Sequence, residues 1–306
     1  ADTEMKKFWR SNDHFADLFN AYFFAGEKVI DPDDLQEVDT DVSGTLDKNS
    51  LVNDYQKALD VVKKSIHGMD LVILGLENQQ KIHYAMPLRI LQGDVMLYVK
   101  EYNEIQKEYK KKPDDTNDEF LSKFRKTDRL HPIITICVYY GEKEWDGPRC
   151  FADMLNIPDG MKGLVSDYKM NLLEIKNSDG LNFHDPKVKA IFDITRSIYK
   201  KDFNGIKEKY NDVELDPEVG LLVGSITNTQ SLIKKALMVQ KEGGSFNMCT
   251  AMKEYELENN QKGVNDFAKL LQWLDRAERK EDFDKAINDP EYRKKMFEEY
   301  NRLTNK

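Results

Sequence analysis

The chain has 306 residues, 40% of them hydrophobic and 33% charged, and a formal net charge of −9 from 46 basic and 55 acidic side chains. Its 15 Phe, 14 Tyr and 3 Trp exclude global disorder, because so aromatic a chain buries enough apolar surface to fold. The acidic balance argues against broad, nonspecific binding to nucleic acid, which rests on Lys and Arg meeting phosphates. It leaves room for a local basic groove or for carboxylates that recruit a metal ion.

The length suits one large or two medium domains. Cys137, Cys150 and Cys249 are widely spaced, with neither metal-ligand spacing nor a disulfide framework, which points to a reduced, cytoplasmic setting. The longest clean apolar run, IITICVYY, is about eight residues, where a membrane-spanning helix needs ~20. The first residues, ADTEMKKFWRSNDHF, contain no apolar signal core. A soluble protein is expected.

In chain order, MKKFWRSNDHFADLFNAYFF reads as one helix, with Phe15, Leu18, Phe19, Tyr22 and Phe23 on a shared face. Residues 25–50 form a long, turn-rich acidic connection without the ordered Asp pattern of a calcium loop. Two short strands follow, about Ala58 to Ser65 and Leu71 to Glu77, around a His-Gly-Met-Asp turn. Residues 83–110 predict a long amphipathic helix with Pro87 in its first turn and Met86, Ile90, Val95, Leu97 and Tyr98 on its apolar face. The run after His131 is rich in β-branched residues and apolar on both faces, hence a central strand, and NLLEI from Asn171 is a further one. Beyond about residue 185 strand signals stop and helical segments succeed one another, two of them opening on Asp-Pro. The expected organisation is an α/β domain over 1–184 and an all-helical region over 185–306.

Common catalytic signatures are absent: no phosphate-binding Gly-x-x-x-x-Gly-Lys loop, no Gly-x-Gly-x-x-Gly, no Gly-x-Ser-x-Gly elbow. The five histidines are scattered, with no pair at ligand spacing. What remains is a carboxylate pair. Asp60 lies on the first predicted strand and Glu77 on the second, and side-chain alternation puts Glu77 and Gln79 on one face. Two hard oxygen ligands at the end of a twisted sheet suit Mg2+. From the pattern alone the bland reading stands beside this one, since acidic residues are abundant and both could simply face solvent.

The succession LDVVKK, DLVILGLENQQ, HYAMPLRILQGDVMLY and HPIITICVYYGEKEWDGP resembles the Rpn (recombination-promoting nuclease), or YhgA-like transposase, family of the PD-(D/E)XK nuclease superfamily. The positions that carry the resemblance are Asp60, Glu77, Gln79, Met86, Arg89, Tyr139, Gly141 and Trp145, within roughly residues 10–175. It implies a restriction-endonuclease-like core, a central mixed sheet flanked by helices, and Mg2+-dependent DNA endonuclease activity in recombination or mobile-element biology. Asp60 and Glu77 would be the metal ligands, with Mn2+ able to substitute. Gln79 stands where the superfamily most often has Lys, so it would orient water without supplying charge. Asp17 would be an additional acidic residue facing the site, or a solvated helix position. Lys63 and Lys64 would compensate for the missing lysine, or be exposed at a strand end. Arg89 is expected in a buried ion pair.

DNA is the implied partner, with a homodimer allowed and neither a membrane nor an organic cofactor expected. Lys110, Lys111, Lys112, Lys123, Arg125, Lys126 and Arg129, with Lys107 nearby, are the candidates for phosphate contact. The rival reading from another class is a catalytically inactive nuclease fold that acts as a binding or regulatory protein, which the acidic charge and the missing lysine favour.

Overall fold

The computed structural model describes residues 2–37, 61–65, 70–76 and 82–304. It divides into two compact units, residues 1–247 and 248–306. The first unit is mixed α/β and the second is helical.

The N-terminal stretch expected as one helix is two, α1 (Asp2–Trp9) and α2 (Asn12–Phe23), because Ser11 is extended. The break has a structural use. It frees the carbonyl of Arg10 from a helical ladder, and that oxygen accepts from the ammonium of Lys63 at 2.7 Å. The same ammonium donates to Asn12 Oδ1. Asn12 in turn donates from Nδ2 to the carbonyls of Pro32 (2.9 Å) and Leu35 (3.0 Å).

Five strands form one sheet in the order β1 (Leu35–Glu37), β2 (Val61–Ser65), β3 (Asp70–Leu76), β4 (Ile133–Tyr139) and β5 (Asn171–Glu174). Strand β2 runs antiparallel to both of its neighbours, β1 and β3, whereas β3, β4 and β5 are parallel. The predicted hairpin is present, with Val61 opposite Ile73 and Lys64 opposite Asp70. The β1 strand was not expected: its only buried apolar residue is Leu35, so there is no alternation to read. As the β-branched run implied, β4 is central and almost wholly buried.

Helix α3 (Met86–Glu108) covers one face of the sheet. Met86, Ile90 and Leu97 pack there with Val62, Ile133, Cys137, Tyr139 and Trp145. Val95, assigned above to the apolar face, instead points outward, 47% exposed, with Leu88 and Val99. The opposite face meets α1 and α2. There Trp9 Nε1 donates to Tyr140 Oη at 2.7 Å, and the Lys63 ammonium lies 5.7 Å from the Phe15 ring centroid.

Lys63 is therefore not an exposed strand-end lysine. It is 2% exposed, and burial holds its pKa below the ordinary lysine value. Its ammonium is engaged by the Arg10 carbonyl and Asn12 Oδ1.

Asp94 of α3 is buried against the sheet, where it accepts from Thr135 Oγ1 at 2.6 Å and from the Tyr168 hydroxyl. Burial raises its pKa above 3.8 and outweighs both hydrogen bonds, which favour the charged form. A folded acid with a raised pKa holds its proton more tightly than the unfolded chain does. Its stabilising contribution is thus present in acid and is lost as pH rises from about 3.8 through the raised folded value. Asp94→Asn, neutral throughout, should gain on the wild type across that window, by about 1.4 kcal/mol per pH unit over which the two states differ by one proton. Urea denaturation at pH 4 and pH 7 checks this; a constant difference between the two proteins would contradict it.

The rest of the first unit is helical: α4 (Asn117–Ser122), α5 (Pro186–Lys200), α6 (Phe203–Tyr210), α7 (Pro217–Ile226) and α8 (Gln230–Glu242). Asp185 and Asp216, each followed by Pro, cap α5 and α7 by accepting backbone N–H bonds. A short pair, β6 (Glu214–Leu215) with β7 (Phe246–Asn247), corrects the expectation of no strands beyond residue 185. Two residues per strand are too few for a periodic signal.

The second unit contains one long helix, α9 (Met248–Arg276), followed by α10 (Lys280–Asn288) and α11 (Pro290–Thr304). Leu270, Leu274, Ala286 and Met296 make its core. Arg293 closes α10 by donating to the carbonyls of Ala286 and Ile287, each at 2.7 Å. Those oxygens would otherwise lack partners at a helix end.

Candidate functional site at the carboxyl edge of the parallel strands

Register places Leu76, Tyr139 and Glu174 side by side at the carboxyl ends of β3, β4 and β5. In parallel sheets this edge is where loops converge and ligands bind. Because β2 is antiparallel to β3, the entry to β2 at Val61 lies toward this same edge. Asp60, Glu77 and Gln79 lie outside the described residues. Their chain neighbours do not: Asp60 immediately precedes β2, and Glu77 immediately follows β3.

Helix α3 begins at this edge, since its Asp94 accepts from Thr135 Oγ1 within β4 while Tyr98, one turn on, accepts from Ile133 N at the start of that strand, at 3.2 Å. Its entry brings His83, Tyr84 and Arg89 toward the carboxyl ends. Burial, and then the charge of Arg89, lowers the His83 pKa, so the imidazole is neutral at pH 7. Arg89 is half-buried and has no ion-pair partner among the described residues. The Tyr84 hydroxyl donates to Asp146 Oδ1 at 3.1 Å.

The loop after β4 is fixed by Glu174. One carboxylate oxygen accepts from Trp145 N at 2.9 Å, the other from Arg149 at 2.7 Å. Trp145 Nε1 donates to the carbonyls of Gly147 and Pro148. With both oxygens engaged, Glu174 serves as a clamp that holds the loop against β5. It is a residue the sequence reading missed, and only the β4–β5 register reveals it.

Tyr139 is 2% exposed and packs edge-on against Trp145, with ring centroids 5.3 Å apart. Burial, then Glu174, Asp146 and Tyr84, push its pKa up. Its hydroxyl is buried without a hydrogen-bond partner among the described residues.

Asp17 is elsewhere. It is buried where α2 meets the entry to α5, and it accepts from His184 N (2.9 Å) and Asp185 N (3.1 Å). Burial raises its pKa despite those two bonds. It borders a cavity of about 380 Å3 together with Asn20, Asp31 and His184. Among the described residues no three His, Cys, Asp or Glu side chains are grouped to hold a metal ion.

The basic cluster sits at the other end of the sheet. Helix α3 runs antiparallel to β4, so Glu101 accepts from His131 N (3.0 Å) beyond the amino end of the strand. Residues 109–131 pack on the last turns of α3, with Tyr102 and Gln106 both donating to Ser122 O. From Ile133 to Tyr139 is about 20 Å of strand at ~3.3 Å per residue.

Two of the expected phosphate contacts are also committed internally. Arg125 forms an ion pair with Asp115 at 2.9 Å, donates to Lys110 O at 2.7 Å and stacks over Tyr109. Arg129 donates to the carbonyls of Lys126 and Asp128. Lys110, Lys111, Lys112, Lys123 and Lys126 are exposed.

A mixed α/β unit and a helical unit are the class these elements define. Residues 114–215, from the segment before α4 through β4, β5 and α5 to β6, match the family described as putative transposase, YhgA-like. Over these residues the chain is similar to that Rpn/YhgA family. The matched third of the chain contains Tyr139, Gly141 and Trp145 but not Asp60, Glu77, Gln79, Met86 or Arg89. No curated protein and no solved structure matches the chain. No helix among the described residues is long and apolar enough to cross a membrane.

Proposed function

We propose that this protein is a metal-dependent DNA endonuclease of the Rpn type that hydrolyses phosphodiester bonds in recombination or mobile-element biology. The observation that carries the reading is the β2–β3 hairpin: its antiparallel register directs the chain from Asp60 into the sheet, and from the sheet to Glu77, toward one edge. A five-stranded mixed sheet with helices on both faces supports the restriction-endonuclease-like core that the resemblance implies. The family match supports DNA as the partner.

In this reading Asp60 and Glu77 would hold Mg2+, or Mn2+ in its place. The ion supplies Lewis-acid neutralisation of charge at the phosphodiester. Gln79 orients the attacking water by hydrogen bonding and adds no charge. Arg89, half-buried at the entry to α3, is a cation at this edge with no ion-pair partner among the described residues.

Purified protein should nick supercoiled plasmid DNA only with Mg2+ or Mn2+. Asp60→Ala and Glu77→Ala should each lose activity on the order of 10³-fold, because several kcal/mol of transition-state charge stabilisation is withdrawn. Calorimetric titration with Mn2+ should show binding to the wild type and none to either variant. Variants that cut as well as the wild type, or a wild type that cuts no DNA with any divalent metal, would remove the proposal.

A further inference from the structure

The 109–131 projection sorts its charges. Three of its five carboxylates turn inward: Asp115 accepts from Arg125, from the Tyr109 hydroxyl and from Lys112 N. Glu119 accepts from Thr116 N, Thr116 Oγ1 and Lys126 N, completing a capping box for α4. Asp128 accepts from Arg125 N. These bonds, led by Arg125 for Asp115 and by backbone N–H groups for Glu119, hold both pKa values low. The lysines of the same segment point out to solvent, Lys111 lying over the ring of half-exposed Phe120. The internal bonds make the projection a stiff platform for outward cations. Glu108, Asp114 and Asp118 are exposed as well and offset part of that positive charge.

This platform lies at the amino end of β4, at least about 20 Å from the carboxyl edge by strand rise alone. We propose that it is a remote anchor for duplex DNA, gripping backbone phosphates away from the cleaved bond. The inference rests on the nuclease reading for where cleavage occurs, but not for whether the platform binds DNA. At about 3.4 Å per base pair, a duplex shorter than about 6 pairs does not reach both ends of the sheet. The preferred substrate is therefore duplex that continues well past the cleavage point.

The test is binding without divalent metal, measured by fluorescence anisotropy across a salt series. The probes are a duplex of about 40 pairs and a hairpin with a stem of about 6 pairs. The full chain is compared with Lys110→Glu/Lys112→Glu/Lys126→Glu and with the Gln triple variant, whose substitutions lie on exposed side chains. On the long duplex the Glu variant should lose affinity tenfold or more, and its salt slope should fall by about 3, at ~0.9 per phosphate contact. The Gln variant should lose less, in the same direction. The gap between long and short probes should shrink in both variants.

A wild type that binds no duplex, or variants with unchanged affinity and slope, would overturn the anchor. Loss of binding to anionic phospholipid vesicles with no loss on DNA would overturn it in favour of a membrane surface. Lysine-dependent duplex binding by a protein that never cleaves would keep the anchor and sink the nuclease reading.

Discussion

Asn12→Ala should be among the most destabilising substitutions in the first unit, at about 3–5 kcal/mol. Asn12 Oδ1 is one of two acceptors for a 2%-exposed ammonium, and its Nδ2 ties down the carbonyls that lead into β1. A hydrogen bond to a charged group contributes about 1.5–3 kcal/mol, and each of the two neutral ones about 1 kcal/mol. Removing the side chain leaves Lys63 with only the Arg10 carbonyl. The loss has a pH signature. Burial already lowers the Lys63 pKa below 10.5, and a lost acceptor lowers it further. A base with a depressed folded pKa binds fewer protons when folded, so stability rises with pH up to the unfolded value. The deficit of Asn12→Ala relative to wild type should therefore narrow as pH climbs from 7 toward 10, as Lys63 sheds its proton. Urea denaturation at both ends of that range decides it. An equal deficit at each pH would mean that the buried ammonium is not what Asn12 supports.

The same hub shows why sequence patterns reached only part of this structure. The apolar residues of α2 recur at helical spacing, so the helix was legible, and the β-branched run of β4 announced a central strand. Lys63 was not legible. A lysine that follows two valines and precedes a second lysine looks like an exposed strand end, and its burial depends on a helix break 53 positions earlier in the chain. Helical periodicity likewise located α5 and α7 with their Asp-Pro caps. It does not say which core a helix joins, and the first compact unit runs on to Asn247.

For the candidate site, the hairpin and the position of β4 were readable from strand patterns and turn residues. The clamp formed by Glu174, Trp145 and Arg149 depends on a parallel register between segments with no connecting turn signal. The basic run was visible as composition, yet composition is blind to direction. Only the antiparallel course of α3 sets it at the far end of the sheet, and only the hydrogen bonds show Arg125 and Arg129 turned inward.

Gly141→Ala should cost about 3 kcal/mol, at the upper end of the range for overpacking a core. Backbone conformation is not the reason; space is. A β-carbon at 141 would overlap the Tyr139 side chain at Oη and Cζ and approach Cε2 to 2.7 Å. Tyr139 cannot yield easily, because it is 2% exposed and boxed in by Trp145 and Met86. Two further variants separate this cause from any other. Tyr139→Phe removes a buried hydroxyl that has no partner among the described residues. It should stabilise the fold by about 1 kcal/mol, the lower end of the cost of an unsatisfied polar group. In that background Gly141→Ala should cost less than it does alone, since the Oη overlap is gone while that at Cζ remains. The coupling between the two substitutions, read from a double-mutant cycle of urea midpoints, should then favour the pair by about 0.5–2 kcal/mol. Strict additivity would show that the glycine is required for something other than the ring. A loss of stability in Tyr139→Phe alone would mean that the hydroxyl donates to an acceptor beyond the described residues, at the edge where β3 passes into Glu77.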